Sequence, residues 1–233
     1  MADSTPIDLG EFQLVRRIGS GGMADVWQGW HLETQTPIAV KIITSDRATD
    51  AWHIERFRQE VQSLARLNHP GIVSVFEHGI VPEEAAAQSE GAFVAGSPFL
   101  VMEYAEQGTL DDQLPVQSWP EFRLLVSSIL DALAYAHARD VIHRDLKPEN
   151  VLCFRRDDGR VQVKLADFGI AQAIHPQDTS GASGSGASAG TPTYMAPEQS
   201  SGDWRVFGPW TDLYALGCMS YALVSGSPPF TSD

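Results

Sequence analysis

The sequence predicts an α+β fold in two parts: a small antiparallel β-sheet lobe with one helix, then a larger, mainly helical lobe. Three observations predict it. Residues 12 to 43 alternate apolar and polar in short runs broken by turns. From Trp52 the apolar spacing changes to three and four residues, and beyond about residue 105 the longest patterned runs are helical.

Taken in order, "FQLVRRIG" (12–19), "ADVWQGWH" (24–31) and "PIAVKII" (37–43) read as a meander, with a Gly-rich turn after the first strand and a polar turn before the third. Phe57, Val61, Leu64 and Leu67 then recur at helical spacing until "NHPG" (68–71) stops the run. "IVSVFEHGI" (72–80) and "FLVMEY" (99–104) complete an expected five-stranded sheet. The Ala-, Glu- and Ser-rich segment between them, from about 82 to 98, is expected as a surface insertion. The join falls near Tyr104 to Gly108, dividing the chain into 1–104 and 105–233. In the second part "FRLLVSSILDALAYAHA" (122–138) is helical, as is the apolar "DLYALGCMSYALVSG" (212–226), while "RDVIHRDLKPENVLCF" and "VQVKLADFGIA" alternate like short strands around loops. "DTSGASGSGASAGT" (178–191) is almost wholly Gly, Ala, Ser and Thr and cannot build a core.

Composition narrows the function classes. An apolar fraction of 43% and a charged fraction of 20% over 233 residues belong to a folded protein. The net charge of −14 argues against nucleic-acid binding through a general basic surface, which needs clustered Lys and Arg. Cys153 and Cys218 sit in apolar contexts without metal-ligand spacing, and the histidines, His69 and His78 included, form no metal cluster and read as turn or surface residues. No window approaches about 18 uninterrupted apolar residues, and the acidic start "MADSTPIDLGEF" has no apolar signal region. The expectation is a cytoplasmic chain without membrane contact.

Chemistry is concentrated in a few short strings. "IGSGGMADV" (18–26) lies between two predicted strands, where a bare backbone can offer N–H groups to a polyphosphate; by itself it reads more readily as an ordinary Gly-rich hairpin turn. "AVK" ends in Lys41, a compact cation that needs a holder, and Glu60 on the core-facing side of the following helix can hold it. "HRDLKPEN" (143–150) offers Asp145, Lys147 and Asn150, and "DFG" adds Asp167. A carboxylate to take a hydroxyl proton, a cation for a moving phosphate and hard oxygen donors for magnesium are what phosphoryl transfer requires.

Together with "VMEY", "GTPTYMAPE" (190–198) and "DLYALGC" (212–218), these strings occur in an order that resembles the eukaryotic-type (Hanks-type) Ser/Thr protein kinases, the bacterial members most closely, over roughly residues 12 to 230. The resemblance implies a bilobal protein kinase-like fold and ATP with Mg²⁺, or Mn²⁺ in its place. It implies that Ile18, Gly19, Gly21, Gly22 and the backbone through Ala24 cover the phosphates, although Ala24 stands where the family pattern has its third glycine. Lys41 would meet the α- and β-phosphates and pair with Glu60. Val26, Ala39 and Leu152 would sandwich the adenine, Met102 would guard the back pocket, and the backbones of Glu103 and Ala105 would bond the base.

In the same carry-over Asp145 becomes the catalytic base, Lys147 the γ-phosphate stabiliser, and Asn150 and Asp167 the metal ligands. Lysine two residues after the base is the Ser/Thr-kinase form of the loop. Thr191 would support Asp145 and Lys147. His143 and Phe168 would join Leu64 in a packed column with Asp212 at its base, a structural role for His143.

Arg144 would receive a phosphate on the activation loop, with Thr179, Ser180, Ser183, Ser185 and Ser188 as candidate acceptors and Thr179 first among them; alternatively this segment is only a linker. The chain stops soon after "SGSPPF", where the resembled fold continues through further helices, so the lower lobe is expected to be C-terminally truncated. Glu198 would then lack its usual arginine, and the chain would be a fragment or a truncated kinase completed by a partner or a homodimer contact.

The expected activity is transfer of the γ-phosphate of ATP to protein Ser/Thr hydroxyls, the chain's own included, regulated by autophosphorylation. The alternative is a catalytically weak nucleotide-binding or scaffolding module, and Lys41, Asp145 and Asp167 all speak for the enzyme. A small-molecule kinase is disfavoured by "GTPTYMAPE", the string that shapes a peptide platform in protein kinases.

Overall fold

The computed structural model describes residues 6–21, 24–44, 49–116, 118–156, 158–168, 193–201 and 206–230, without the side chains of 52, 53, 56, 60, 200 and 201. Gly22, Thr191, the Glu60 side chain and the segment 178–191 with its candidate phosphate acceptors therefore lie outside the described residues. The described chain forms two compact units. One comprises residues up to 66 and 74–104; the other comprises 67–73 and the described residues from 105 onward.

The first unit is built on an antiparallel sheet. Its strands are β1 (Ile7–Leu9), β2 (Phe12–Ser20), β3 (Ala24–His31), β4 (Pro37–Ile43), β5 (Val75–Ile80) and β6 (Pro98–Glu103), in the order β1-β2-β3-β4-β6-β5. Alternation decides the faces. Ile38, Val40 and Ile42 are almost wholly buried on one side in a cluster with Leu14, Trp27, Phe99 and Val101, while Ala39 and Lys41 point to the other. Helix α1 (Ala51–Leu64) buries Phe57, Val61 and Leu64 at helical spacing and packs beside β5 and β6.

Two expectations need correction here. The sheet has six strands rather than five, because "IDL" forms β1, with Ile7 and Leu9 buried and Asp8 exposed, and pairs with β2 as Ile7↔Leu14 and Leu9↔Phe12. Three residues are too short a run for periodicity to reveal; the pairing depends on the turn at Gly10, whose φ of 64° suits glycine. The segment 82–98 is not a surface insertion either. It contains α2 (Glu83–Gln88), packed on β1, and places Ala85 and Phe93 in the sheet's apolar cluster, Phe93 edge-on to Trp27 at 5.8 Å between centroids.

In the second unit, α3 (Trp119–His137) starts with a Ser118 side chain accepting the Glu121 N–H and Pro at the first turn, the pattern that satisfies free helix N–H groups. It buries Ile129, Leu133 and Ala136. The hairpin β7 (Val151–Arg155) and β8 (Val161–Leu165) packs near it, and α4 (Pro209–Ser225) buries Leu216, Met219, Ala222 and Leu223. Residues 67–73 belong here because Val73 donates to the Leu165 carbonyl and Leu165 to that of Gly71.

Candidate active site

The catalytic-loop residues are assembled by a 3-10 turn and a hairpin. Pro148 opens the turn Pro148–Asn150, and the Asn150 N–H bonds back to the Lys147 carbonyl. The turn brings Asn150 back over Asp145: its Nδ2 donates to the Asp145 carbonyl at 2.7 Å and to Asp145 Oδ2 at 2.9 Å. Lys147 Nζ lies 3.1 Å from the same Oδ2, with both side chains about one-third exposed. Because the amide nitrogen of Asn150 is taken twice, its oxygen is the atom turned to other partners.

The interval between Asn150 and Asp167 is explained by the hairpin. Val151 pairs with Leu165, and the Ala166 N–H donates to the Asn150 carbonyl at 2.9 Å, so the returning strand ends beside the turn and presents Asp167 next. Asp167 has φ 61°, a left-handed conformation that costs a non-glycine residue about 1–3 kcal/mol. Arg144, immediately before Asp145, shares it at φ 67°. Two such residues flanking one loop mark backbone held by its surroundings rather than by local preference.

At Arg144 the holder is Asp212. This carboxylate, 1% exposed at the start of α4, accepts from the His143 N–H and the Arg144 N–H, both at 2.8 Å, and lies 2.7 Å from His137 Nε2. His143 is wholly buried and packs against Phe168, the ring centroids 4.5 Å apart and the planes tilted by 38°, in the packed role expected for it. Burial pushes the His143 imidazole below its ordinary pKa, opposed by the carboxylates of Asp212, Asp145 and Asp167 and by the Ala166 carbonyl. A neutral ring fits its contact, since Nδ1 faces the Asp145 N–H at 3.4 Å. Arg144 Nε is buried and has no hydrogen-bond partner among the described residues.

His137 was missed by sequence reasoning, as was Gln199, whose Nε2 donates to the Arg144 carbonyl at 2.7 Å. Each carries one residue letter inside an otherwise ordinary helix end or turn, and only the fold brings Gln199 to the loop and His137 to the Asp212 that holds it. His69 is a turn residue, as expected: its Nδ1 accepts the Gly71 N–H, and its other nitrogen pairs with Asp131 at 3.2 Å.

The first unit holds the other group of expected residues. Register sets Gly19 opposite Val26, Val26 opposite Lys41 and Ala39 opposite Met102, so these positions form adjacent rows across four strands. Lys41 is half-buried, Ala39 and Met102 are buried, and Ile18 is exposed. The Gly21 N–H closes the glycine turn onto the Ala24 carbonyl at 3.0 Å. Glu103 bonds Ser74 twice, its N–H to the Ser74 carbonyl and its carboxylate to the Ser74 N–H. Leu152 and Ala105 belong to the second unit, where the Ala105 carbonyl accepts the Gly108 N–H. Among the described residues no group of three or more His, Cys, Asp or Glu could hold a metal ion, and no helix is long and apolar enough to cross a membrane.

The family description "Protein kinase domain" matches residues 12–233. Serine/threonine-protein kinase Pkn1 of Myxococcus xanthus is 36% identical over 237 residues, covering 97% of this chain and 30% of that protein. Serine/threonine-protein kinase PknB of Mycobacterium tuberculosis is 36% identical over 235 residues, covering 99% of this chain and 35% of its own length. The chain thus spans about a third of the length of the curated relatives it matches. The crystal structure of the Mycobacterium tuberculosis PknI kinase domain superposes with a TM-score of 0.69 at 28% identity, over 99% of this chain and 79% of that one.

Proposed function

Because the chain belongs to the protein kinase family and has its fold, we propose that it transfers the γ-phosphate of ATP to Ser and Thr hydroxyls of proteins. The observation that carries this reading is the meeting of Asp145, Lys147 and Asn150 around one carboxylate oxygen. The Ser/Thr preference is supported by Lys147 and by relatives named as serine/threonine-protein kinases.

In this reading Asp145 orients the acceptor hydroxyl and takes its proton, because its carboxylate is held from two sides and is partly exposed. Lys147, already beside that oxygen, stabilises the charge of the phosphoryl group in transit. Lys41 meets the α- and β-phosphates and pairs with Glu60, while Ile18, Gly19, Gly21 and Gly22 cover them. Val26, Ala39, Leu152, Met102, Glu103 and Ala105 take the base, and Thr191 supports Asp145 and Lys147. Residues 1–104 act as the ATP-binding lobe and 105–233 as the catalytic lobe.

The donor set of the loop fits a hard cation: a carboxylate at Asp167 and the amide oxygen of Asn150, whose nitrogen is already committed. Those two residues would hold Mg²⁺, or Mn²⁺, and the bound ion would neutralise phosphate charge. The buried Arg144 Nε is a donor that a phosphate on the activation segment would satisfy, which supports regulation by autophosphorylation.

Phosphate transfer from labelled ATP with Mg²⁺ to the chain itself and to a generic protein substrate tests the reading. The expected result is label on Ser or Thr, abolished in Asp145→Asn with ATP affinity kept. Equal transfer by the variant, or ATP binding without any transfer by the unmodified chain, would overturn it.

A further inference from the structure

Asp145 inherits its orientation from the peptide unit before it. That unit is planar, so the direction of the Arg144 carbonyl fixes the direction of the Asp145 N–H and the point from which Asp145 projects. Two contacts restrain it. The Asp145 N–H reaches His143 Nδ1 only at 3.4 Å, a weak bond, whereas the Arg144 carbonyl accepts from Gln199 Nε2 at 2.7 Å. Gln199 is therefore the stronger restraint on a peptide that follows a left-handed residue.

Both ends of the Gln199 amide are used. Its Oε1 accepts the Ala196 N–H at 2.9 Å while its nitrogen holds Arg144, and the side chain is buried, with the residue 7% exposed. The carboxamide accepts through its oxygen and donates through its nitrogen at neutral pH; a carboxylate of the same length accepts only, and a thioether does neither usefully. The turn carrying Gln199, Pro197–Ser201, is itself braced, since Thr211 Oγ1 donates to Glu198 Oε1 at 2.6 Å, one residue before the Asp212 that grips the other side of Arg144.

We propose that Gln199 is a positioning residue for Asp145, clamping the Arg144 carbonyl and so making the placement of the "APEQ" segment felt at the catalytic base. The proposal rests on the kinase reading of Asp145. Through Gln199, a displacement of residues 196–199 turns the Arg144–Asp145 peptide without moving any residue assigned to ATP.

The test uses two variants of the chain, Gln199→Met, which keeps the length and loses both bonds, and Gln199→Glu, which keeps the acceptor for Ala196 and loses the donor to Arg144. Turnover, the KM for ATP, the melting temperature and amide hydrogen exchange of the peptide spanning 141–147 are measured. Both variants are expected to lose about tenfold or more in kcat, with the KM for ATP unchanged within about twofold and exchange over 143–145 accelerated. Unmodified kcat in either folded variant would overturn the proposal, the Glu variant's by showing that the Ala196 bond alone suffices. Parallel loss of kcat, ATP binding and melting temperature would reduce Gln199 to general support and overturn it too. If Gln199→Met does not fold, Gln199→Glu decides alone. If the unmodified chain transfers no phosphate, the kinase reading fails separately, and the exchange rates still decide whether Gln199 holds the loop.

Discussion

Lys147 and Asp145 lie 3.1 Å apart, but each side chain is about one-third exposed, so water screens the pair and its contribution to stability is about 0–1 kcal/mol. Their value is positional. Lys147→Ala is expected to change stability by less than about 1 kcal/mol while lowering kcat by about 10²-fold, the usual scale for removing one donor to transition-state charge; melting curves and steady-state kinetics on the same preparation check both halves. Cys153, buried in β7, bears instead on stability. Burial, and then the Asp112 carboxylate, push its thiol up to about 11. An unfolded thiol ionises at about 8.5, so as pH rises the unfolded chain loses this proton first. The stability tied to it is full below about pH 8.5 and falls between there and about 11. Melting temperatures from pH 8 to 10.5 should therefore drop less for Cys153→Ala than for the unmodified chain, and parallel slopes would contradict the account.

At the scale of elements, the segment between β5 and β6 is the clearest case of structure that only packing creates. α2 is six residues long, too short to persist alone, and exists because Ala85 and Phe93 complete the apolar face formed by Trp27, Val40 and Val101. Phe93→Ala should cost about 3–5 kcal/mol in urea unfolding, the range for a buried phenylalanine; a loss below about 0.5 kcal/mol would mean that the segment is peripheral. α4 works through its first turn. Thr211 and Asp212 project from consecutive positions, one to Glu198 and one to the backbone of the catalytic loop. Helix geometry thereby links two loops far apart in sequence.

For the whole molecule, the dominant property is charge. Thirty Asp and Glu against sixteen Lys and Arg leave −14, and the described ion pairs neutralise few of the acids. Like charges repel more in the compact state than in the expanded one. Raising NaCl from about 10 to about 150 mM shortens the screening length from about 30 to about 8 Å, so the melting temperature should rise. A fall would show that attractive pairs, not repulsion, prevail.

By itself the sequence determined what depends on local period and on short strings. β3 and β4 coincide residue for residue with the alternating runs, α1 and both long helices of the second unit follow the three- and four-residue spacing, and "HRDLKPEN" pointed to Asp145, Lys147 and Asn150 because a tight turn needs only nearby residues. Register, burial and long-range hydrogen bonds belong to the tertiary structure. β1 is three residues long and needs β2 to exist; Phe93 reads as one aromatic in a polar stretch until Trp27 meets it; Gln199 and Asp212 reach His143 and Arg144 from 55 to 69 residues away along the chain, and His137 reaches Asp212 across 75. The physical reason is the same throughout: period and turn chemistry act over a few residues, whereas the partner of a buried amide or carboxylate is chosen by the packing of elements.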